Sequence, residues 1–148
     1  MIRPLLEYAS PVWDPFQSSL IDQLERIQNC AARFILSNYN RTASISSTKA
    51  TLSLEPLSYR HKVSRLRLFH SMYFHNPTLK DVLLAPPSYI SPRADHSHEV
   101  QVPLCLTNTY YNSFVPKTSV DWNHLPASLL CTNSDHFRSI IERHHSPL

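Results

Sequence analysis

The sequence contains no glycine in its 148 residues, where a chain of this length carries about ten on average. Phosphate-binding loops and strained catalytic turns need glycine, because only a residue without a Cβ lets backbone amides approach a ligand closely. A Walker A loop, a dinucleotide-binding fingerprint and a G-x-S-x-G turn are therefore excluded. Turns must use the twelve prolines and asparagine, the non-glycine residue that best tolerates positive φ. The asparagines expected in this role are Asn38, Asn76, Asn108 and Asn133.

Cysteine is scarce, and no long hydrophobic run occurs. Cys30, Cys105 and Cys131 are odd in number and far apart, which argues against a disulfide framework and predicts a reducing compartment. The nine histidines show no zinc-finger or zinc-knuckle spacing with the cysteines, so we expect no metal site. With no apolar run of 18 residues and no signal-peptide pattern, we expect an intracellular protein, nuclear or cytoplasmic, without membrane, cofactor or small-molecule ligand.

Acidic residues are few and scattered, eleven in all. A metal-dependent nuclease or polymerase needs clustered carboxylates, and the sequence contains no Asp-Asp pair. The neighbours Asp95 and His96, and likewise Asp135 and His136, point in different directions on a regular element, so they do not form an acid-base pair. The sequence predicts no catalytic residue and no enzyme.

The clearest pattern present is an amphipathic helix from Ser19 to Leu36. Five apolar residues recur at steps of four, three, four and three, and we refer to them as the Leu20 row: Leu20, Leu24, Ile27, Ala31 and Phe34. This spacing places them on one face of a helix, with Ser19 as the expected N-cap. We expect this face to belong to the core; the alternative is a partner-helix surface or a coiled-coil seam.

A second long helix is predicted from Leu57 to about Phe74, before Pro77. It is apolar on two sides, which is typical of a central helix. It also carries four cations, with no acidic residue between Glu55 and Asp81; these are Arg60, Lys62, Arg65 and Arg67. Cations interleaved with aromatic residues suit phosphate contacts and base stacking, which makes these four the candidate nucleic-acid-binding residues. The alternative is a buried helix whose cations reach solvent at its edges.

The remaining chain predicts shorter elements around these two packed helices. Short helices are expected after Pro4, within residues 42–53 and near 78–84, and a terminal helix is expected after Ser134. Alternating apolar residues over 100–106 and 110–114 predict a short β-hairpin with an edge strand. The fold class is therefore mainly α (α+β). Residues 1–85 form a helical part, and residues 86–148 form a mixed loop, hairpin and terminal-helix part of the same domain.

Several blocks of the sequence resemble one known family. The first two blocks are Arg3-Pro4 with LEYAS at 6–10 and VWDP at 12–15, and LERIQ at 24–28 with AARFI at 31–35. The later residues are Leu57, Arg60, Arg65-Leu66, Ser113-Phe114, Pro116, Thr118, Trp122-Asn123, Leu125-Pro126 and Phe137. In this order they are similar to the region after the polymerase core in jockey-like, LINE-type non-LTR retrotransposon reverse transcriptases. The residues that carry the resemblance, here called the landmark residues, are Trp13, Asp14, Ala31, Arg33, Phe34, Phe114, Trp122, Asn123 and Pro126.

That family copies RNA into DNA with a palm that holds metal-binding aspartates, and no position here matches those motifs. The resemblance implies a non-catalytic C-terminal fragment that is helical and contacts RNA. The expected function is weak, sequence-tolerant binding of RNA or DNA through phosphates, with the polymerase core as a further partner. The alternative is a structural or protein-interaction remnant without a nucleic-acid role.

Overall fold

The computed structural model of the chain describes residues 3–37, 40, 44–87, 89, 98–130 and 133–144. Within these residues every regular element is helical, which confirms the mainly α prediction. The chain divides into two compact units, Met1–Lys62 and Val63–Leu148. The sequence predicted the boundary between its two parts after residue 85. The boundary between the two units instead falls between Lys62 and Val63, inside the helix Leu57–His75.

The first unit contains four helices and the beginning of a fifth. They are α1 (Arg3–Glu7), α2 (Ser10–Trp13), α3 (Ser18–Ile35), α4 (Ile45–Thr51) and the first residues of α5 (Leu57–His75). These bounds agree with the predicted short helices and with the predicted second long helix. The expected cap of α3 was wrong, because the helix begins at Ser18 and its N-cap, Gln17, makes no side-chain capping bond.

The second unit continues α5 and adds α6 (Pro77–Leu83), α7 (Asn108–Tyr111), α8 (Phe114–Asn123), a 3-10 turn (Ala127–Leu129) and α9 (Ser134–His144). Its core is aromatic. Trp122 and Phe69 are fully buried, with ring centroids 5.1 Å apart. Phe137 of α9 stacks on the buried His70 ring at 4.2 Å. This cluster holds α8 and α9 against α5.

Turns without glycine are made differently from the expectation. Among the described residues, positive φ occurs at Ala9, Ser37 and Ser53. Asn76 instead has a φ of −134° and accepts a hydrogen bond from the Leu79 amide as the N-cap of α6. Asn133 similarly accepts from the first amides of α9, because a short amide side chain satisfies N–H groups that have no intrahelical partner. Asn108 lies inside α7, and Asn38 lies outside the described residues.

The predicted β-hairpin was wrong. Residues 100–106 form no strand, and residues 110–114 belong largely to helices α7 and α8. The Thr107 side chain accepts from the Tyr110 amide and so starts a helical turn where the second strand had been expected. The Asn123 side chain bonds both the N–H and the C=O of Val100, at 3.1 and 2.7 Å. A side-chain amide therefore satisfies the backbone groups that a strand would have paired.

Candidate protein interface on α3 and the basic residues of α5

The Leu20 row lies at the surface, so its assignment to the core was wrong. Leu20 is 42% exposed, Ile27 47% and Phe34 71%. Leu24 and Ala31, between them, are half-buried. The buried positions of α3 are instead Gln28 and Ala32, at 3% and 1%. On a helical wheel these lie about 100° away from the row.

Polar contacts explain which face of α3 is buried. The Glu25 carboxylate accepts from the Leu57 amide at the start of α5 and pairs with Lys49 of α4 at 2.7 Å. Gln28 donates to the Glu55 carbonyl at 3.0 Å and accepts from the Arg60 guanidinium. Because buried donors and acceptors must be paired, these contacts orient α3 with its polar edge inward.

The α3 residues that border the Leu20 row carry no fixed charge. Gln23 and Cys30 are exposed on one side of it, and Ile35, 62% exposed, extends it on the other. The charged residues of the outer face lie further round the helix; they are Asp22, Arg26 and Arg33. The result is an apolar stripe that runs almost the whole length of α3.

Arg60 and Arg65, two of the four candidate nucleic-acid-binding residues, form ion pairs inside the protein. Arg60 has a side chain 12% exposed and pairs with Glu7. Arg65, with a side chain 4% exposed, donates to Asp121 at 3.1 Å. Lys62 is half-buried and Arg67 is exposed. The structure therefore does not present the four cations as one open surface, and the nucleic-acid site stays a prediction.

The landmark residues near the N-terminus have structural contacts. The Trp13 indole donates to the Tyr8 carbonyl at 2.6 Å, and its ring lies edge-on to His61 at 5.1 Å. Asp14 lies 2.9 Å from Nδ1 of the same histidine, whose Nε2 lies 3.0 Å from the Leu6 carbonyl. His61 therefore ties α1 and the end of α2 to the start of α5.

The landmark residues of the second unit also make structural contacts within that unit. Trp122 donates to the His98 carbonyl at 2.9 Å, and the Asn123 side chain braces the Val100 backbone. The Phe114 ring lies 6.5 Å from that of Phe69, and Pro126 is the N-cap of the 3-10 turn. Of the three on α3, Ala31 and Arg33 are half-buried, and only Phe34 is largely exposed.

The spacing of the Leu20 row did not reveal that it lies at the surface. Its steps average about 3.5 residues, and over two heptads a period of 3.6 residues departs from this by only about 40°, so the same spacing fits a core face and a helix-packing surface. The contacts of Glu25 and Gln28 could not be read from the sequence either, because they depend on residues that are distant in the sequence.

Neither a metal cluster nor a membrane span is found in the described part of the chain. No three His, Cys, Asp or Glu side chains there come close enough together to hold a metal ion. No helix among these residues combines the length and the apolar character needed to cross a bilayer. Comparison with protein-family models, curated proteins and solved structures found no match.

Proposed function

We propose that this chain is a non-catalytic helical module that binds a partner helix through the Leu20 row. The observation that carries the proposal is the exposure of Leu20, Ile27 and Phe34 along one face of an 18-residue helix. Contiguous apolar surface of this kind marks an interaction site more often than scattered single residues do. An amphipathic partner with its own apolar row would cover the stripe by helix-to-helix packing.

The energy available from this surface is modest. Burying a large apolar side chain completely contributes about 1.5–3 kcal/mol, and the three large residues of the row are already partly covered. Association also costs translational freedom and side-chain ordering. We therefore expect binding no tighter than the micromolar range, since a dissociation constant of about 1 μM already corresponds to about 8 kcal/mol.

The proposal includes an origin as the C-terminal region of a LINE-type reverse transcriptase, without polymerase or endonuclease activity. The support is the resemblance of the sequence blocks, together with the structural contacts of Trp13, Asp14, Trp122 and Asn123. Cys30 and Cys105 are free thiols, which supports an intracellular location, nuclear or cytoplasmic.

A designed helical peptide tests the binding function. The peptide has three heptads with leucine and isoleucine at the a and d positions and neutral residues at e and g. Fluorescence anisotropy of the labelled chain at nanomolar concentration should report saturable binding with a micromolar Kd. Ile27→Glu should weaken binding at least tenfold, because it puts a charge in the centre of the row.

Val82→Glu is the matched control, since Val82 is 75% exposed on α6 and receives the same change. Its binding should equal that of the parent. Circular dichroism should be unchanged for both variants, because neither position is buried. Equal peptide affinity of the parent and Ile27→Glu would show that the row is not the binding surface.

Nucleic-acid binding is the second candidate, favoured by one observation. Arg67 is exposed on α5, a helix without any acidic residue. With Arg60 and Arg65 in internal ion pairs, few phosphate contacts are available. Binding through this helix would therefore be weak and strongly salt-dependent.

A further inference from the structure

We propose that the partner helix is α3 of a second copy of this chain, packed antiparallel to the first. This inference rests on the proposed function and names the occupant of the same surface. The identical helix is a suitable partner in three respects: the volumes along the row, the charges beside it and the area it covers.

The volumes along the row favour antiparallel packing. In heptad terms Leu24 and Ala31 occupy a, while Leu20, Ile27 and Phe34 occupy d. In an antiparallel pair a residues face d residues, so Leu24 faces Phe34 of the second copy and Ile27 faces its Ala31. The large Phe34 side chain then packs against the medium-sized Leu24, and the medium-sized Ile27 packs against the small Ala31. A parallel pair would place Ala31 against Ala31 and leave a gap beside two facing phenylalanines.

The charges beside the row allow an identical partner. A helix that meets its own copy suffers most when like charges border the seam. Here Gln23 and Cys30 border it on one side, and neither side chain carries a fixed charge. Asp22, Arg26 and Arg33 lie on the far arc of the helix. Like-charge repulsion between the two copies of α3 is therefore weak.

The area fits only a weak dimer. The exposed fractions of Ile27, Phe34 and Ile35 are 47, 71 and 62%, and in the register above no residue of α3 faces Leu20. Covering these three side chains in both copies removes roughly 700 Å² from water, which is the size of a weak, transient interface. We therefore expect a dimer that dissociates at micromolar concentrations or above.

Sedimentation velocity of the full chain over about 1–200 μM, a range chosen to span the expected Kd of about 10⁻⁶–10⁻⁵ M, tests self-association. The parent should shift from monomer to dimer as concentration rises. Ile27→Glu should raise the dissociation constant at least tenfold, and Val82→Glu should leave it unchanged. Circular dichroism of all three proteins confirms that the fold is retained.

Cysteine cross-linking tests the orientation, in a background where Cys105 and Cys131 are replaced by serine. The antiparallel register places the two-fold axis near Asn29, so the two Cys30 thiols lie within reach of a short bismaleimide. Moving the thiol with Gln23→Cys and Cys30→Ser separates the two copies of position 23 by about 18 Å along the axis. The protein that keeps Cys30 should cross-link and the Gln23→Cys variant should not, whereas a parallel pair would give the same cross-linking yield at both positions, because both are g positions of the heptad.

The outcomes separate this inference from the proposed function. A parent that stays monomeric at the highest concentration but still binds the heptad peptide overturns the second-copy inference alone. A dimer that cross-links equally at positions 23 and 30 overturns the antiparallel arrangement. A dimer unaffected by Ile27→Glu, together with unchanged peptide binding, overturns both.

Discussion

At the scale of single residues, the cations of α5 show how context changes the role of a charge. Arg65 is only 3% exposed and donates to Asp121 at 3.1 Å. A buried charge is tolerated only when it is paired. The high density of positive neighbours in the sequence suggested a ligand contact, but the position of Arg65 makes it part of the interior of the second unit.

Removing the acidic partner should therefore be costly. Asp121→Ala leaves a buried guanidinium without its carboxylate, and we expect a loss of about 3–5 kcal/mol. Urea unfolding followed by circular dichroism measures the loss. The exposed Asp135→Ala change on α9 should cost far less. The double change Arg65→Met with Asp121→Leu should recover most of the stability, because it removes both charges.

If Asp121→Ala unfolded at the same urea concentration as Asp135→Ala, the ion pair would not contribute to the stability of the second unit. The half-buried aspartate, with a side chain 22% exposed, keeps some contact with water. For that reason the lower end of the expected range applies.

At the scale of the element, α3 shows that an apolar face need not be a core face. The helix has a well-separated apolar stripe, yet its buried side is defined by Gln28 and Ala32. The start of α5 offers the Leu57 amide and the Arg60 guanidinium, and α3 satisfies them with Glu25 and Gln28. Pairing these polar groups prevents the large cost of burying them unsatisfied.

Two neighbouring alanines test this orientation with the same substitution. Ala32 is 1% exposed, so Ala32→Leu should overpack the first unit and cost about 1–3 kcal/mol. Ala31 is half-buried on the Leu20 row, and Ala31→Leu should change stability by less than about 0.5 kcal/mol. Urea midpoints of the two variants at a concentration below self-association provide the comparison. A reversed order would mean that the row, not Gln28 and Ala32, faces the core.

At the scale of the whole molecule, the two compact units share α5, which runs from Leu57 to His75. The first unit uses its beginning through polar contacts of Arg60 and His61. The second uses its remainder through the buried aromatic cluster around Phe69. Two of the four cations of α5, Arg60 and Arg65, form ion pairs within their own units, so few cations of this helix are left to meet a polyanion.

Nucleic-acid binding by the whole chain should reflect this shortage. Titrations of single-stranded RNA at several salt concentrations should show log K falling with log salt, by about 0.7 for each phosphate neutralised. Arg67→Gln should flatten the slope by roughly one contact. Arg60→Gln should instead lower the urea midpoint of the first unit and leave the slope unchanged. A slope unaffected by Arg67→Gln would remove α5 as the binding element.

The period of the apolar residues and the positions of the prolines were enough to predict a helical protein, the bounds of α5 and several of the short helices. These features are local, because they depend on residues three or four positions apart and on the φ range of each residue. The β-hairpin prediction was wrong because the Thr107 and Asn123 side chains bind the backbone groups of Tyr110 and Val100 that strand pairing would have used.

Only the tertiary structure decided which face of α3 is buried and which cations of α5 are exposed to solvent. Both outcomes depend on hydrogen bonds between groups 24 to 56 positions apart, such as Lys49 with Glu25 and Arg65 with Asp121. A helical wheel ranks faces by hydrophobicity alone. The buried face is chosen by the sum of apolar burial and the pairing of distant polar groups, and in α3 the polar pairing prevailed.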